Sequence, residues 1–371
     1  MRIAQIAPLI ESVPPKLYGG TERIVSYLTE ELAALGHDVT LFASGDSTTS
    51  ARLVPCVPKA LRLDSSVVDA TPHHTLMLRR VLQRADEFDI LHFHTDRVQF
   101  PMFRHIARRT VTTLHGRQDL PDLLSLYLDS DDMPLISISN AQRRDVADAN
   151  FIATVHHGIP INLHRPGPEP RASYVAFLGR ISPEKRPDRA IAIAQTVGIP
   201  LRIAAKVDPT DECYFRTMIA PLLDGPGVEF IGEINEQQKT EFLGRAQALL
   251  FPIDWPEPFG LAMIEAMACG TPVLAFRCGS APEIIEEGVT GITVETMDEA
   301  VAALPRVMAL DRNKVRQRFE QRFSATRMAN DYLRAYNTLQ ASPKPIGAEE
   351  RQSERPVEAG TNAITLRPSI A

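Results

Sequence analysis

Glu257 and Glu265 stand in one short segment with seven residues between them. Glu257 lies in a turn between Pro256 and Pro258, and Glu265 lies on the helix predicted to follow. A carboxylate beside a packed face is costly unless hydrogen-bond donors meet it. Sugar hydroxyls are such donors, so this segment can present both groups to a single polyhydroxylated ligand. Gly260 opens the helix and Gly270 ends it, which lets the backbone amides near Gly260 cradle a phosphate. The plainer alternative is an exposed helical Glu and a loop Glu that only complements the helix dipole.

Other segments carry compatible chemistry. Gly19-Gly20-Thr21-Glu22, after Tyr18, falls between a first strand and a first helix. Two glycines let the backbone pass close to a ligand, and the helix start points N–H groups at a phosphate. A plain turn capped by Thr21 is the alternative. The pattern is not GxGxxG, so a nicotinamide fingerprint is absent. Gly179-Arg180-Ile181-Ser182-Pro183-Glu184-Lys185 follows another strand, at the end where open α/β sheets bind ligands. Arg180 as a planar fork and Lys185 as a point charge suit a diphosphate, with solvated loop charges as the alternative. His115 ends an apolar strand before Gly116, placed to hydrogen-bond a hydroxyl or a developing charge. His92 and His94 are expected on opposite faces of a strand end, which excludes a shared metal and leaves one to line an acceptor pocket.

The elements that must position these groups form two alternating series. Strands are predicted at 3–7, 39–43, 89–93, 110–114 and 134–139, with helices at 21–35, 75–85, 102–107 and 140–147. Ile24, Leu28, Leu32 and Leu35 give the first helix its apolar face, and Gly36 stops it. Residues 159–170, rich in Pro, Gly and charge, read as a linker. Strands at 174–178, 201–205, 228–231, 248–252 and 273–276 then alternate with helices at 187–197, 236–245 and 260–268. Buried strands in repeated βα units imply parallel, doubly wound sheets. A final helix at 322–339 places Met328, Tyr332 and Tyr336 at four-residue spacing. From about residue 342 onward no periodicity survives, and the segment reads as a disordered tail.

Composition narrows the function classes. The 371 residues are 44% hydrophobic and 23% charged, enough for two well-packed domains. A net charge of −6 gives no nucleic-acid footprint. Cys56, Cys213, Cys269 and Cys278 are widely spaced with no CxxC pair, so reduced thiols in a cytoplasmic protein are expected. The N-terminal residues lack the long apolar stretch and cleavage site of a secretory signal, and no run is long enough to span a bilayer. Two small basic groups, around Arg79 to Arg84 and Arg104 to Arg109, leave weak peripheral membrane contact open beside the plainer reading of solvated helix faces.

Together these segments resemble the retaining, nucleotide-sugar-dependent glycosyltransferases of the GT-B fold, the group 1 or family 4 type, over roughly residues 1–340. Glu257-Pro258-Phe259-Gly260 through Glu265 to Gly270-Thr271-Pro272-Val273 matches the family's E-x7-E segment. Gly179-Arg180 with Lys185 matches its phosphate motif, Gly19-Gly20-Thr21-Glu22 its first glycine loop, and Gly279-Ser280-Ala281-Pro282-Glu283 its downstream G-x-x-P-E element. The resemblance implies an α/β GT-B fold, two Rossmann-like domains facing each other across a deep cleft. Residues 1–165 would bind the acceptor, 166–325 the nucleotide sugar, 326–340 would cross back to the first domain, and 341–371 would form the tail.

The implied activity is retaining transfer of a hexose from a nucleoside diphosphate sugar, of UDP-glucose or GDP-mannose type, to a hydroxyl acceptor. That acceptor is a sugar, a lipid-linked compound or a small molecule, and neither a metal nor another cofactor takes part. Arg180 and Lys185 would bind the diphosphate, approached by Gly19 and Gly20. Glu257 would face the sugar, with the amides of Phe259 and Gly260 and the Leu261 helix start close by. Glu265 would hold the ribose, and His115 would lie beside the sugar. Two departures bear on nucleotide and sugar identity. Arg186 replaces a common glycine, and strand 201–205 lacks the usual glycine pair, leaving Lys206 near base or phosphate. The rivals are a nucleotide-sugar epimerase of the same shape and a catalytically silent nucleotide-sugar-binding module.

Overall fold

The computed structural model describes residues 1–16, 19–167 and 173–341. Tyr18, part of the expected linker and the expected tail lie outside the described residues. The first sheet is built from β1 (Arg2–Ile6), β2 (Asp38–Ser44), β3 (Arg52–Val57), β4 (Ile90–Phe93), β5 (Thr110–Thr113), β6 (Leu135–Ser137) and β7 (Phe151–Thr154). Its spatial order is β3-β2-β1-β4-β5-β6-β7, with every neighbouring pair parallel. The second sheet contains β8 (Val175–Arg180), β9 (Leu201–Lys206), β10 (Val228–Gly232), β11 (Leu249–Phe251), β12 (Val273–Phe276) and β13 (Gly291–Val294). Its order is β10-β9-β8-β11-β12-β13, also parallel throughout.

Parallel strands must be covered on both faces, so their sequences run apolar without alternation. All four residues of β4 and of β12 are buried. Strand order reverses between β1 and β4 and again between β8 and β11. Those reversals open crevices at the carboxyl ends of the strands, where this class of sheet binds ligands.

Local chemistry sets the helix limits. Gly36, at φ 85°, follows the first helix, Gly20–Ala34. The helix Glu236–Arg245 begins in a capping box formed by Asn235 and Gln238. The last helix, Ala325–Ala341, returns to the first sheet, where Met328, Tyr332, Tyr336 and Leu339 pack with Ile3, Ile24, Leu28, Ile90 and Val111. Three- and four-residue spacing puts those side chains on one helical face. Each large side chain fully buried there contributes about 1.5–3 kcal/mol. No helix among the described residues is long and apolar enough to cross a membrane.

Several expectations need correction. The stretch 140–147 forms turns and a short 3-10 segment, Arg144–Val146, instead of a helix. The backbone N–H groups of Asn140 and Ala141 donate to Glu283 at 2.8 and 2.6 Å, and the Gln142 amide bridges the carbonyls of Leu114 and Gly116. These tertiary partners displace the helical bonds. The stretch 102–107 is mostly 3-10, with non-helical backbone at Ile106. A helix, Asp122–Asp129, which the sequence reading did not anticipate, follows β5. Strands β3, β7 and β13 and the helices Met297–Met308 and Arg312–Arg322 were not anticipated. In the basic groups, Arg84, Arg104 and Arg109 form ion pairs with Glu87, Asp132 and Asp86.

Candidate active site

The loops after β1, β5, β8, β9 and β11 converge on a cavity of about 440 Å³ between the two sheets. Gly19, Gly20, His115, Arg180, Lys185, Lys206, Glu257, Phe259, Gly260, Leu261 and Glu265 all line it. Residues separated by up to 254 positions (Glu11 and Glu265) thus meet in one place. Gly20 approaches the start of the helix Leu261–Ala268 so closely that a β-carbon there would touch Leu261 at 3.5 Å. Gly260 caps that helix in the left-handed region, at φ 82°, as glycine does without steric penalty.

The cavity charges are arranged as opposed pairs. Glu257 is 8% exposed and Glu265 4%. A carboxylate so buried and unpaired would cost several kcal/mol, and each has a cation. Lys185 Nζ forms an ion pair with Glu257, which also accepts from Trp255 Nε1 at 3.0 Å. Lys239 Nζ donates to Glu265 Oε1 at 2.8 Å. Arg180 sits among Glu184, Asp208 and Asp211, with Nη1 3.7 Å from Asp208 and Nε 3.4 Å from Asp211. Lys206 Nζ lies 2.7 Å from Asp208. Arg186 holds a left-handed backbone (φ 53°, ψ 52°) that a glycine would enter without strain. Its guanidinium is tied to Asp188 and Asp254, and those bonds hold it charged.

His115 lies where the β5 strand end predicts, but the expected separation of His92 and His94 is wrong. Side chains two apart on a strand share a face. Their rings are 4.1 Å apart between centroids, and neither lines the cavity; both are buried behind it. His94 Nδ1 reaches His115 Nε2 at 2.9 Å. Burial pushes the His115 imidazole down to about 3, so it is neutral at physiological pH.

Other residues of the site escaped the sequence reading. His157 stacks on His115 with centroids 5.3 Å apart and meets Phe259 edge-on at 4.8 Å, joining the two sides of the cavity. The His156-His157-Gly158 run was the available signal. Arg23, on the first helix, forms an ion pair with Glu236 on the opposite side. His164, Glu236 and Glu265 place ligand atoms within 4.8 Å of one another, a spacing open to a cation. Arg23 and Lys239 already supply positive charge to those carboxylates, so a divalent ion would meet repulsion. Burial works to raise Glu236, but the His164 bond and the Lys239 and Arg23 charges hold it at about 2.

The segment Gly279–Glu283 supports the Glu257 turn. Ser280 N–H donates to the Glu257 carbonyl at 2.9 Å, and Ser280 Oγ donates to the Phe259 carbonyl at 2.8 Å. A β-carbon on Gly279, itself at φ 55°, would collide with the backbone of Glu257. Glu283 continues across to the first domain through Asn140, Ala141 and His156.

Residues 162–324 match the family described as Glycosyl transferases group 1, and residues 18–140 match Glycosyltransferase Family 4. A D-inositol 3-phosphate glycosyltransferase of Mycobacterium sp. (strain KMS) is 31% identical over 208 residues, 48% of this chain and 43% of that protein. The chain thus spans under half the length of the curated relatives of this kind that it matches. Sucrose-phosphate synthase from Thermosynechococcus elongatus has a similar structure, with a TM-score of 0.74 at 18% identity over 92% of this chain and 100% of that one. Anabaena Alr3699/HepE in complex with UDP and glucose has a TM-score of 0.69 at 18% identity, over 91% of this chain and 100% of that one. The two facing parallel sheets have the GT-B fold.

Proposed function

The chain belongs to the glycosyl transferases group 1 family, and from that premise we propose that it transfers a hexose from a nucleoside diphosphate sugar to a hydroxyl acceptor, with retention and without a metal. The observation that carries this reading is the pair of opposed charges in the cavity, Lys185 with Glu257 and Lys239 with Glu265. A diphosphate sugar carries anions and hydroxyl donors together, so it can replace both halves of such pairs. Its phosphates take Lys185 and Arg180, its sugar hydroxyls take Glu257, and its ribose takes Glu265. Gly19, Gly20 and the amides of Phe259 and Gly260 allow the close backbone approach that phosphate needs.

Charge developing on the leaving diphosphate is stabilised by Arg180, Lys185 and the Leu261 helix start. His115, neutral by burial, positions the sugar and does not serve as the base. Both proposed carboxylate roles are binding roles, so deprotonation of the acceptor falls to a leaving phosphate oxygen on the sugar's front face. Domains 1–165 and 166–325 would bind acceptor and donor, with 326–340 fastening the chain to the first.

A thermal-shift screen of nucleotide sugars, followed by transfer assays, tests this. UDP-glucose, GDP-mannose and related donors are compared, with simple sugars, lipid-linked sugars and inositol 3-phosphate as acceptors. One donor should raise the melting temperature by mass action. The product should keep the donor's anomeric configuration, and EDTA should leave the rate unchanged. An inverted product or chelator sensitivity overturns those parts of the proposal. An epimer formed without acceptor identifies an epimerase, and stabilisation without transfer to any acceptor identifies a silent binding module.

The Gly279→Ala variant should lower donor kcat/KM more than tenfold, roughly 1.4 kcal/mol, because the new methyl group displaces Glu257. Steady-state kinetics on folded protein reads the effect, and parent-like kinetics would detach Glu257 from the reaction.

A further inference from the structure

We propose that Gln5 and His94 are positioning residues that hold His115 with its hydrogen on Nε2, so that Nδ1 offers a lone pair to a hydroxyl of the bound sugar. The sugar contact rests on the function proposed above, whereas the tautomer stands on geometry alone. A hydrogen-bonded chain runs from the cavity wall through the first sheet to the last helix. His115 Nε2 lies 2.9 Å from His94 Nδ1, and His94 Nε2 lies 2.7 Å from Gln5 Oε1. Gln5 Nε2 is 3.3 Å from the Tyr336 hydroxyl, which is 2.7 Å from His92 Nδ1. His92 Nε2 is 2.7 Å from Thr113 Oγ1, and Thr113 Oγ1 is 3.1 Å from the Tyr332 hydroxyl. Gln5, His92, Thr113, Tyr332 and Tyr336 are fully buried, and His94 is 2% exposed.

A neutral imidazole has one N–H and one lone pair, so each ring passes on the polarity it receives. Burial, reinforced by neighbouring histidines, lowers His92 and His94 and keeps both neutral. Gln5 sets the direction, because its oxygen only accepts and its nitrogen only donates. With Oε1 facing His94, that ring carries hydrogen on Nε2 and accepts at Nδ1. His115 must then donate from Nε2, leaving the Nδ1 lone pair on a ring that lines the cavity.

The other branch agrees with this direction. Gln5 donates to the Tyr336 oxygen, Tyr336 donates to His92 Nδ1, His92 Nε2 donates to Thr113, and Thr113 donates to Tyr332. Turning the amide over would reverse every bond and require Tyr336 to donate to Gln5 across 3.3 Å. That distance lies nearer the N–H···O range, about 2.7–3.2 Å, than the O–H···O range, about 2.5–3.0 Å.

NMR of the full chain with 15N-labelled histidine rings reads the tautomer directly. The His115 signals are identified by their loss in His115→Gln. Near pH 7 the expected spectrum has hydrogen on His115 Nε2 and none on Nδ1, and hydrogen on Nδ1 overturns the proposal. Gln5→Leu should turn the His115 signals into a mixture of tautomers and lower donor kcat/KM about tenfold. A folded Gln5→Leu protein with an unchanged tautomer removes Gln5 from the role. Where that variant does not fold, the wild-type spectrum decides. The expected tautomer in a protein that transfers no sugar retires the function and leaves the relay standing. A working transferase with hydrogen on Nδ1 does the reverse.

Discussion

Arg180→Ala lowers kcat/KM for the nucleotide-sugar donor about a thousandfold and leaves the unfolding midpoint close to that of the parent. The guanidinium stands at the end of β8 with its side chain 30% exposed, so its removal opens no core cavity. Its planar fork is held among Glu184, Asp208 and Asp211, which fix its direction before a ligand arrives. Charge-assisted bonds to a diphosphate are worth roughly 1.5–3 kcal/mol, and they strengthen as charge moves onto the leaving group. Without the cation, Glu184 and Asp211 face the diphosphate directly and repel it, while Asp208 keeps Lys206. Together these effects approach 4 kcal/mol, or about three powers of ten. Arg180→Lys should recover part of the loss, because it restores the charge but not the fork. Steady-state kinetics with varied donor measures both variants, and a loss under tenfold for alanine would remove Arg180 from the diphosphate site.

Tyr336→Ala costs about 3–5 kcal/mol of stability, the range for deleting a large buried aromatic side chain. The ring is fully buried between the last helix and the first sheet, and its hydroxyl is bonded to His92 and Gln5. The truncation leaves a cavity and strands both polar partners. Tyr336→Phe keeps the packing and removes only the hydroxyl, for about 1–3 kcal/mol. Urea denaturation followed by circular dichroism separates the two variants. Equal, small losses for both would show that the last helix adds little to the first domain.

The site was readable in the sequence where residue type and strand end coincide. Arg180 at the end of β8 with Lys185 just beyond it, His115 after β5 and the Glu257 to Glu265 segment after β11 each carry chemistry at a position set by local pattern. Their cavity neighbours Arg23 and Lys239 carry no such mark, because tertiary ion pairs, across the domains for Arg23 with Glu236 and within the second domain for Lys239 with Glu265, have no fixed spacing in the chain. His157 was hidden for the same reason: its partners His115 and Phe259 lie 42 and 102 residues away. The three unanticipated strands, β3, β7 and β13, are all at sheet edges. β3 and β7 are only partly buried, which weakens their apolar signal, and β3 contains Pro55, which a central strand would not tolerate. The stretch 140–147 misled because its helical propensity is overridden by Glu283, a residue from the other domain. The pairing of His92 with His94 needed only the two-residue period of a strand.

The return of the last helix to the first sheet sets an order of events on the ribosome. The strands of that sheet are complete once Thr154 has emerged, yet the face that receives Tyr332 and Tyr336 stays uncovered until Ala325–Ala341 is made. Synthesis at about 5–20 residues per second puts this interval at roughly 10–40 s. The second domain, contiguous in sequence, can close during that time. The domain translated first is therefore the one finished last, and its bare apolar face is what a nascent-chain chaperone would meet.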